Sequence, residues 1–275
     1  MEYSPKKFQE QFNKYGFNLK KMYGQNFIID ENTIDSIINK SGIDKDTLVI
    51  EIGPGAGSLT YKLSMYAKNV ICYEIDTTLK ELLEENVSND NLEIIYNDFL
   101  KCDINSDIKK YDYKKLYVVA NLPYYITTPI ITKIIEESVP VDKLVIMVQK
   151  EVGDRFKAKP NSKEYNSLSI YLNYYFDVKK ILDVSKNVFI PKPNVDSIVL
   201  ELVSKKDKYE LKNKDIFFKL VKDSFKQKRK TLKNNLKDYD LDKIGQVLNE
   251  DNLDLSIRAE QLSIEIFVKI ANKLS

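Results

Sequence analysis

Five short apolar runs recur between residues 30 and 160, at 48–52, 70–74, 92–96, 116–120 and 144–148. Each is separated from the next by enough chain for a crossover helix, and the intervening segments carry helical patterns. That alternation predicts an α/β domain built on a doubly wound, mainly parallel sheet. Two later runs, 178–182 and 197–203, follow a helix-like stretch at 167–175 and are expected to close the sheet with an antiparallel pair. After Val203 the β-type runs stop. Phe217, Leu220, Val221 and Phe225 then recur at helical spacing, opposed by Lys219, Lys222 and Lys226. We therefore expect one domain over residues 1–204, whose first 25 residues form a basic segment, and a small helical domain over 205–275.

The chain has 275 residues and 43% hydrophobic content, enough for a sizeable core. It contains no histidine, which excludes Ser-His and Cys-His nucleophilic catalysis and most zinc hydrolysis. Cys72 and Cys102 have no metal-ligand spacing, so neither a disulfide framework nor a metal site is expected. The amino terminus lacks an apolar signal core and no stretch approaches the length of a membrane span, so a cytoplasmic protein is expected. The net charge of +2 conceals an asymmetry: residues 205–237 carry 13 Lys and Arg against 4 Asp and Glu. Polyanion binding is a reading of that stretch, and a solvated helix face reads the composition equally well.

The first run ends in Gly53-Pro54-Gly55-Ala56-Gly57, so a ligand can approach bare backbone between a strand and a helix. The dinucleotide fingerprint places Gly or Ala at the sixth position, where this chain has Ser58. Glu74 ends the second run, where a carboxylate can accept both hydroxyls of a ribose, and Asp98 follows the third, where it can bind an adenine amino group. An acidic residue after each of three successive strands resembles the class I S-adenosylmethionine-dependent methyltransferases, which have a Rossmann-like fold. That resemblance assigns Gly53 and Gly55 to the methionine part of the cofactor, Glu74 to its ribose and Asp98 to its adenine.

After the fourth run stands Asn121-Leu122-Pro123-Tyr124. By itself this is equally a turn after a buried strand or a device in which an amide oxygen and a backbone carbonyl hold a flat amino group. The longer string Asn121-Leu122-Pro123-Tyr124-Tyr125-Ile126-Thr127-Thr128-Pro129 resembles the ribosomal RNA adenine dimethyltransferases, in particular their small-subunit branch. So do Gly24-Gln25-Asn26-Phe27, the block from Met147 to Val152, Ser162-Lys163-Glu164-Tyr165, the block from Phe189 to Ser197, that from Phe225 to Leu236, and Arg258-Ala259-Glu260-Gln261-Leu262-Ser263.

The resemblance implies N6,N6-dimethylation of two adjacent adenosines in the 3′-terminal hairpin loop of small-subunit (16S) rRNA, with S-adenosylmethionine as cofactor, during small-subunit biogenesis. It implies that Asn121, Leu122, Pro123 and Tyr124 form the acceptor site, with Tyr124 stacking on the base and Asn121 also bordering the cofactor. Asn26 and Ile28 would border the cofactor too. Phe189 would stack on the target adenine as a partly exposed ring, or else be a core aromatic; Asn26 would otherwise cap the helix beginning near Asp30. Lys226, Lys228, Arg229, Lys230 and Lys233 would contact rRNA phosphates. Lys6, Lys7, Lys14, Lys20 and Lys21 would extend that surface, in a segment disordered when free.

The expected partner is the immature small ribosomal subunit, without membrane or metal, and the protein is expected to be monomeric. Three rivals remain at this stage. A large-subunit rRNA adenine methyltransferase conferring macrolide resistance would share the fold and chemistry, but usually continues with Asn where this chain has Tyr125. A non-catalytic assembly factor would not need Glu74, Asp98 and Asn121 intact. An NAD-dependent oxidoreductase is disfavoured by Ser58 and by the absence of a histidine relay.

Overall fold

Aliphatic and β-branched residues dominate the five runs, and burial on both sheet faces requires helices on each side. The computed structural model of the chain describes residues 5–15, 25–123, 125–206 and 209–275. Tyr124, Gly24, Lys20 and Lys21 lie outside them. By contacts the chain falls into two units, Met1–Gly153 with Lys179–Val203, and Asp154–Val178 with Ser204–Ser275.

The first unit contains α1 (Pro5–Lys14), β1 (Phe27–Ile28), α2 (Glu31–Ser41), β2 (Thr47–Ile52), α3 (Ser58–Tyr66), β3 (Asn69–Tyr73), α4 (Lys80–Asn86) and β4 (Leu92–Ile95). It continues through α5 (Ile104–Ile108), β5 (Lys115–Asn121), α6 (Thr127–Glu136), β6 (Lys143–Gln149) and the start of α7 (Lys150–Phe156). The seven-stranded sheet has the order β4-β3-β2-β5-β6-β9-β7, where β7 is Phe176–Val184 and β9 is Ser197–Ser204. The first five strands in that order pair in parallel, and β9 runs antiparallel to β6. Each of the five apolar runs thus became a strand, within a residue or two of the expected ends.

Every residue of β2 is buried, including Glu51. Ile34, Ile37 and Ile38 of α2, with Leu59 and Leu63 of α3, close over Val49, Val119 and Val145 of the sheet. Asp30 starts α2 by accepting the Thr33 N–H at 2.8 Å, and Gly42 ends it at φ +69°, a conformation that other residues adopt only with strain.

The basic amino-terminal segment departs from expectation. Residues 5–14 are helical because Phe8 and Phe12, one turn apart, find a place to bury: both are at most 3% exposed, packed with Phe27, Ala56, Leu79 and Leu82. Lys6, Gln9, Glu10, Asn13 and Lys14 remain exposed to solvent.

The second unit holds α8 (Ser167–Tyr175), α9 (Lys214–Ser224), α10 (Leu232–Asn235), α11 (Leu241–Glu250) and α12 (Ile264–Leu274). Its core joins Phe217, Leu220 and Val221 of α9 to Phe267 and Ile270 of α12, and also to Tyr165 and Ile170. The last two residues explain why 154–178 groups with this unit rather than with the one expected for residues 1–204: their apolar side chains are spent on the helical core. The stretch from Lys226 to Lys237 is not one helix. Residue Ser224 ends α9, and a loop closes on α10.

Helix α7 packs so closely on β9 that a Cβ at Gly153 would lie 2.3 Å from Ile198 Cδ1 and 2.6 Å from its Cγ1. Gly153→Ala should therefore cost about 1–3 kcal/mol in urea unfolding. The cost should shrink by about 1 kcal/mol when Ile198→Ala removes the obstructing atoms, the coupling being read from the double-mutant cycle.

Candidate active site

From β2 the chain moves outward to β3 and β4, then returns to place β5 on the other side of β2. At such a reversal the two connections leave in opposite directions and open a crevice beyond the carboxyl ends of the strands. The glycine loop follows β2, and Asn121 ends β5. A cleft lies there, lined among the described residues by Gln25 to Ile28, Glu51 to Ala56, Glu74, Ile75, Asn97 to Phe99 and Asn121 to Pro123, with Ser58, Leu59, Tyr73, Leu79, Tyr125 and Ile126.

Two glycines fit the loop to its neighbours. Gly53 has φ +72°, and a Cβ on it would stand 3.8 Å from the Pro123 ring. Gly55 has φ +60°, and a Cβ there would come within 2.9 Å of Phe27 Cε1. The loop is thus seated between the acceptor turn and β1, and any larger residue at Gly55 meets both backbone strain and a ring.

Glu74 fastens this loop to the end of β3. Its Oε2 accepts the Gly55 N–H at 3.0 Å and its Oε1 accepts the Asp76 N–H at 2.8 Å. Burial raises the Glu74 pKa, while those two N–H groups work against the rise. Glu51 is 1% exposed and accepts the Cys72 thiol at 3.3 Å. Burial pushes its pKa up to about 7, with the Glu74 charge adding to the shift. Asp98 uses Oδ1 to receive the Leu100 N–H at 3.0 Å and still borders the cleft. No lysine or arginine is among the described lining residues. A cleft with three carboxyl groups and no cation among its described lining residues suits a cationic ligand and opposes a pyrophosphate.

The acceptor turn is fixed by its own bonds. The Asn121 Nδ2 group donates to the Asn26 carbonyl at 2.9 Å. A carbonyl only accepts, so the amide nitrogen must face Asn26 and Oδ1 must face away from it. The Leu122 N–H donates to the Met147 carbonyl at 3.2 Å, which pins the turn to β6. The Pro123 carbonyl is taken by the Ile126 N–H and the Thr127 hydroxyl.

Of the residues singled out in the sequence, Asn26, Ile28, Gly53, Gly55, Glu74, Asp98, Asn121, Leu122 and Pro123 come together at the cleft. Phe189 does not present a partly exposed ring. It is 2% exposed and packed in the sheet's core, because its strand β8 (Phe189–Ile190) pairs antiparallel with β1 and sets it opposite Ile28. Asn26 does not cap α2, a task Asp30 performs. Gln25, Phe27, Glu51 and Phe99 were not assigned to the cleft from sequence, although Gln25 and Phe27 flank Asn26 in a quoted motif. Gln25 donates to Asp76 at 2.8 Å, tying the segment before β1 to the loop after β3.

Lys226, Lys228, Arg229, Lys230 and Lys233 are all exposed, in and just after the loop between α9 and α10. Asn235 shapes that loop: its side chain accepts the Gln227 N–H at 3.2 Å and donates to the Ser224 carbonyl at 2.7 Å. Among the described residues no group of three His, Cys, Asp or Glu side chains is placed to hold a metal ion, and no helix is long and apolar enough to cross a membrane.

Residues 16–275 match the sequence model of the ribosomal RNA adenine dimethylase family. Ribosomal RNA small subunit methyltransferase A of Bacillus licheniformis is 45% identical over 98% of this chain and 96% of its own length. The protein of that name from Staphylococcus aureus is 46% identical over 97% and 93%. Among solved structures, a dimethyladenosine transferase from Plasmodium falciparum superposes with a TM-score of 0.73 at 26% identity, covering 89% of this chain and 95% of that one.

The buried Glu51 makes stability depend on pH. Its carboxyl favours the protonated form when folded, its pKa rising from an ordinary 4.5 to about 7. The stabilisation is complete below the lower value and is lost as pH rises through the upper one, a decline of roughly 3 kcal/mol. Chemical unfolding across that window should show the fall, and Glu51→Gln should flatten it, leaving the share due to Glu74.

Proposed function

The chain belongs to the ribosomal RNA adenine dimethylase family, and on that footing we propose that it transfers methyl groups to adenine N6 in small-subunit rRNA at the cleft where β2 and β5 diverge. The observation that carries this reading is the convergence of the glycine loop, Glu74, Asp98 and Asn121 on one acidic cleft whose described lining residues include no Lys or Arg. Gly53 and Gly55 would receive the methionine part of S-adenosylmethionine, Glu74 the ribose and Asp98 the adenine, with Asn26 and Ile28 along its edge. The substrate is two adjacent adenosines in the 3′-terminal hairpin loop, presented during small-subunit assembly, with Tyr124 as the stacking partner.

When bound, S-adenosylmethionine supplies a methyl group on a positively charged sulfur. Adenine N6 is a weak nucleophile because its lone pair is delocalised into the ring. Asn121 Oδ1 and the Leu122 carbonyl accept the two N6–H groups, which localises that lone pair and aims it at the methyl carbon. The methyl carbon would pass to N6 with the electrons of its bond to sulfur staying on sulfur, so the chain's own contribution is to aim the N6 lone pair. Positive charge grows on N6 during this step, and two fixed oxygen dipoles stabilise it. N6 then releases a proton to water. No imidazole is needed, in keeping with a chain that has none. A target base must leave its stack to reach such a cleft.

Exposed Lys226, Lys228, Arg229, Lys230 and Lys233 would bind phosphates of the rRNA. The relatives that cover nearly all of this chain carry small-subunit methyltransferase names, which favours that substrate over the large subunit.

Labelled methyl should pass from S-adenosylmethionine to small subunits lacking the modification and map as dimethyladenosine in the terminal hairpin; label confined to large subunits would overturn the reading. Asn121→Ala should abolish transfer, by about 10³-fold or more, while calorimetry shows cofactor binding largely intact. Replacing Lys228, Arg229, Lys230 and Lys233 together with Ala should weaken RNA binding and reduce the salt slope by up to about 4.

A further inference from the structure

Asn121 can aim an oxygen only while the Asn26 carbonyl holds its nitrogen, so whatever places Asn26 also places the acceptor oxygen. Asn26 is followed by Phe27, whose ring is 6% exposed and enclosed from two sides. Gly55 of the cofactor loop closes one side, with room for no Cβ. Phe12 of α1 closes another, ring centroid to ring centroid 5.2 Å, and Phe8 backs Phe12 at 6.0 Å. Pairing of Phe27 with Ile190 fixes the strand direction.

Helix α1 is itself fastened. Gln11 donates to Asn86 at 2.6 Å, and Asn86 donates onward to the Ala56 carbonyl of the glycine loop at 2.9 Å. The Lys14 ammonium and the Tyr15 hydroxyl both bond to Glu85. Phe12 is not among the residues lining the cleft, yet it is the second link behind a backbone atom that orients Asn121.

We propose that Phe12 and Phe27 are positioning residues for methyl transfer, which act through the Asn26 carbonyl to keep the Asn121 amide oxygen directed at the acceptor amino group. This inference rests on the functional reading above. Truncating Phe12 leaves Phe27 free to tilt into the vacated space, and Asn26 moves with it. The cofactor side has its own anchor in Glu74, whose bonds to the Gly55 and Asp76 N–H groups do not pass through α1. Loss of Phe12 should therefore fall on the chemical step more than on cofactor affinity.

The test uses the full chain with Phe12→Ala and Phe12→Leu. Three readouts are taken: kcat at saturating S-adenosylmethionine and small subunit, the cofactor dissociation constant, and the nitrogen–proton signal of the Asn121 side-chain amide, assigned by its loss in Asn121→Ala. For Phe12→Ala, kcat should fall about tenfold or more with the dissociation constant changed less than about threefold. The Asn121 signal should move towards that of a free amide, and Phe12→Leu should restore most of both.

An unmoved Asn121 signal overturns the proposal, whether kcat is unchanged, the thermal midpoint alone falls, or only cofactor affinity is lost. If Phe12→Ala does not fold, Phe12→Leu and Phe12→Val are read by the same criterion: loss of kcat must track displacement of the amide signal. Should the wild-type protein methylate no adenine, the functional reading fails by itself, and the amide signal still reports whether Phe12 sets Asn121.

Discussion

One buried carboxylate organises the cleft. Glu74 stands at the end of β3 and receives N–H groups from both Gly55, in the loop after β2, and Asp76, in the loop after β3. Two connections leaving adjacent strands are thereby locked to each other just beyond the last backbone bonds of their strands, Gly53 N–H to the Tyr73 carbonyl and Glu74 N–H to the Ile95 carbonyl. The glycines at φ +72° and +60° let the loop bend back far enough for this contact, and the contact keeps it there. Removing either half would leave the other with an unsatisfied buried group. The geometry that brings the loop under Pro123 and against Phe27 thus depends on a bond that is also the expected ribose contact.

The charge of the same cleft bears on which ligand it suits, since no Lys or Arg is among its described lining residues. Glu51, Glu74 and Asp98 line it, and burial raises the pKa of the first two. A bound positive charge would offset the cost of keeping such carboxylates ionised, whereas phosphate would add to it. The lysines and arginine suited to phosphate sit on the exposed loop before α10, in the other unit. The proposed cofactor and phosphate contacts therefore differ in sign of charge and belong to different units.

How much of this could be read from sequence depended on the range of the interactions involved. The runs 48–52 and 116–120 declared themselves because burial on both faces demands unbroken apolar residues. Glu74 and Asp98 were legible because each follows such a run. The sequence left Phe189 open between a partly exposed ring and a core aromatic, because the partner that buries it, Ile28, lies far earlier in the chain. Helix α1 was missed for a related reason: five lysines dominate the first 25 residues, and the two phenylalanines acquire meaning only beside Phe27 and Leu79. The division of the chain was half visible. A composition shift marks Ser204, but Tyr165 and Ile170 join the helical core without any local sign of doing so. The loop at 225–231 looked helical because its lysines continue a spacing that Ser224 ends and Asn235 closes off.

A chain with no histidine has to obtain its rate from placement, and that shifts the burden onto groups that never touch a substrate. An amide is a weak acceptor compared with a carboxylate, so its value lies in direction. The bond from the Asn121 nitrogen to the Asn26 carbonyl sets that direction, and Phe27, the next residue after Asn26, is enclosed by Gly55 and Phe12. Substituting a carboxylate would supply a stronger acceptor, but it would turn an oxygen towards the Asn26 carbonyl and lose the bond that does the aiming. An asparagine is therefore the side chain whose two ends, one donor and one acceptor, can satisfy the backbone behind it while leaving an oxygen for the proposed base in front.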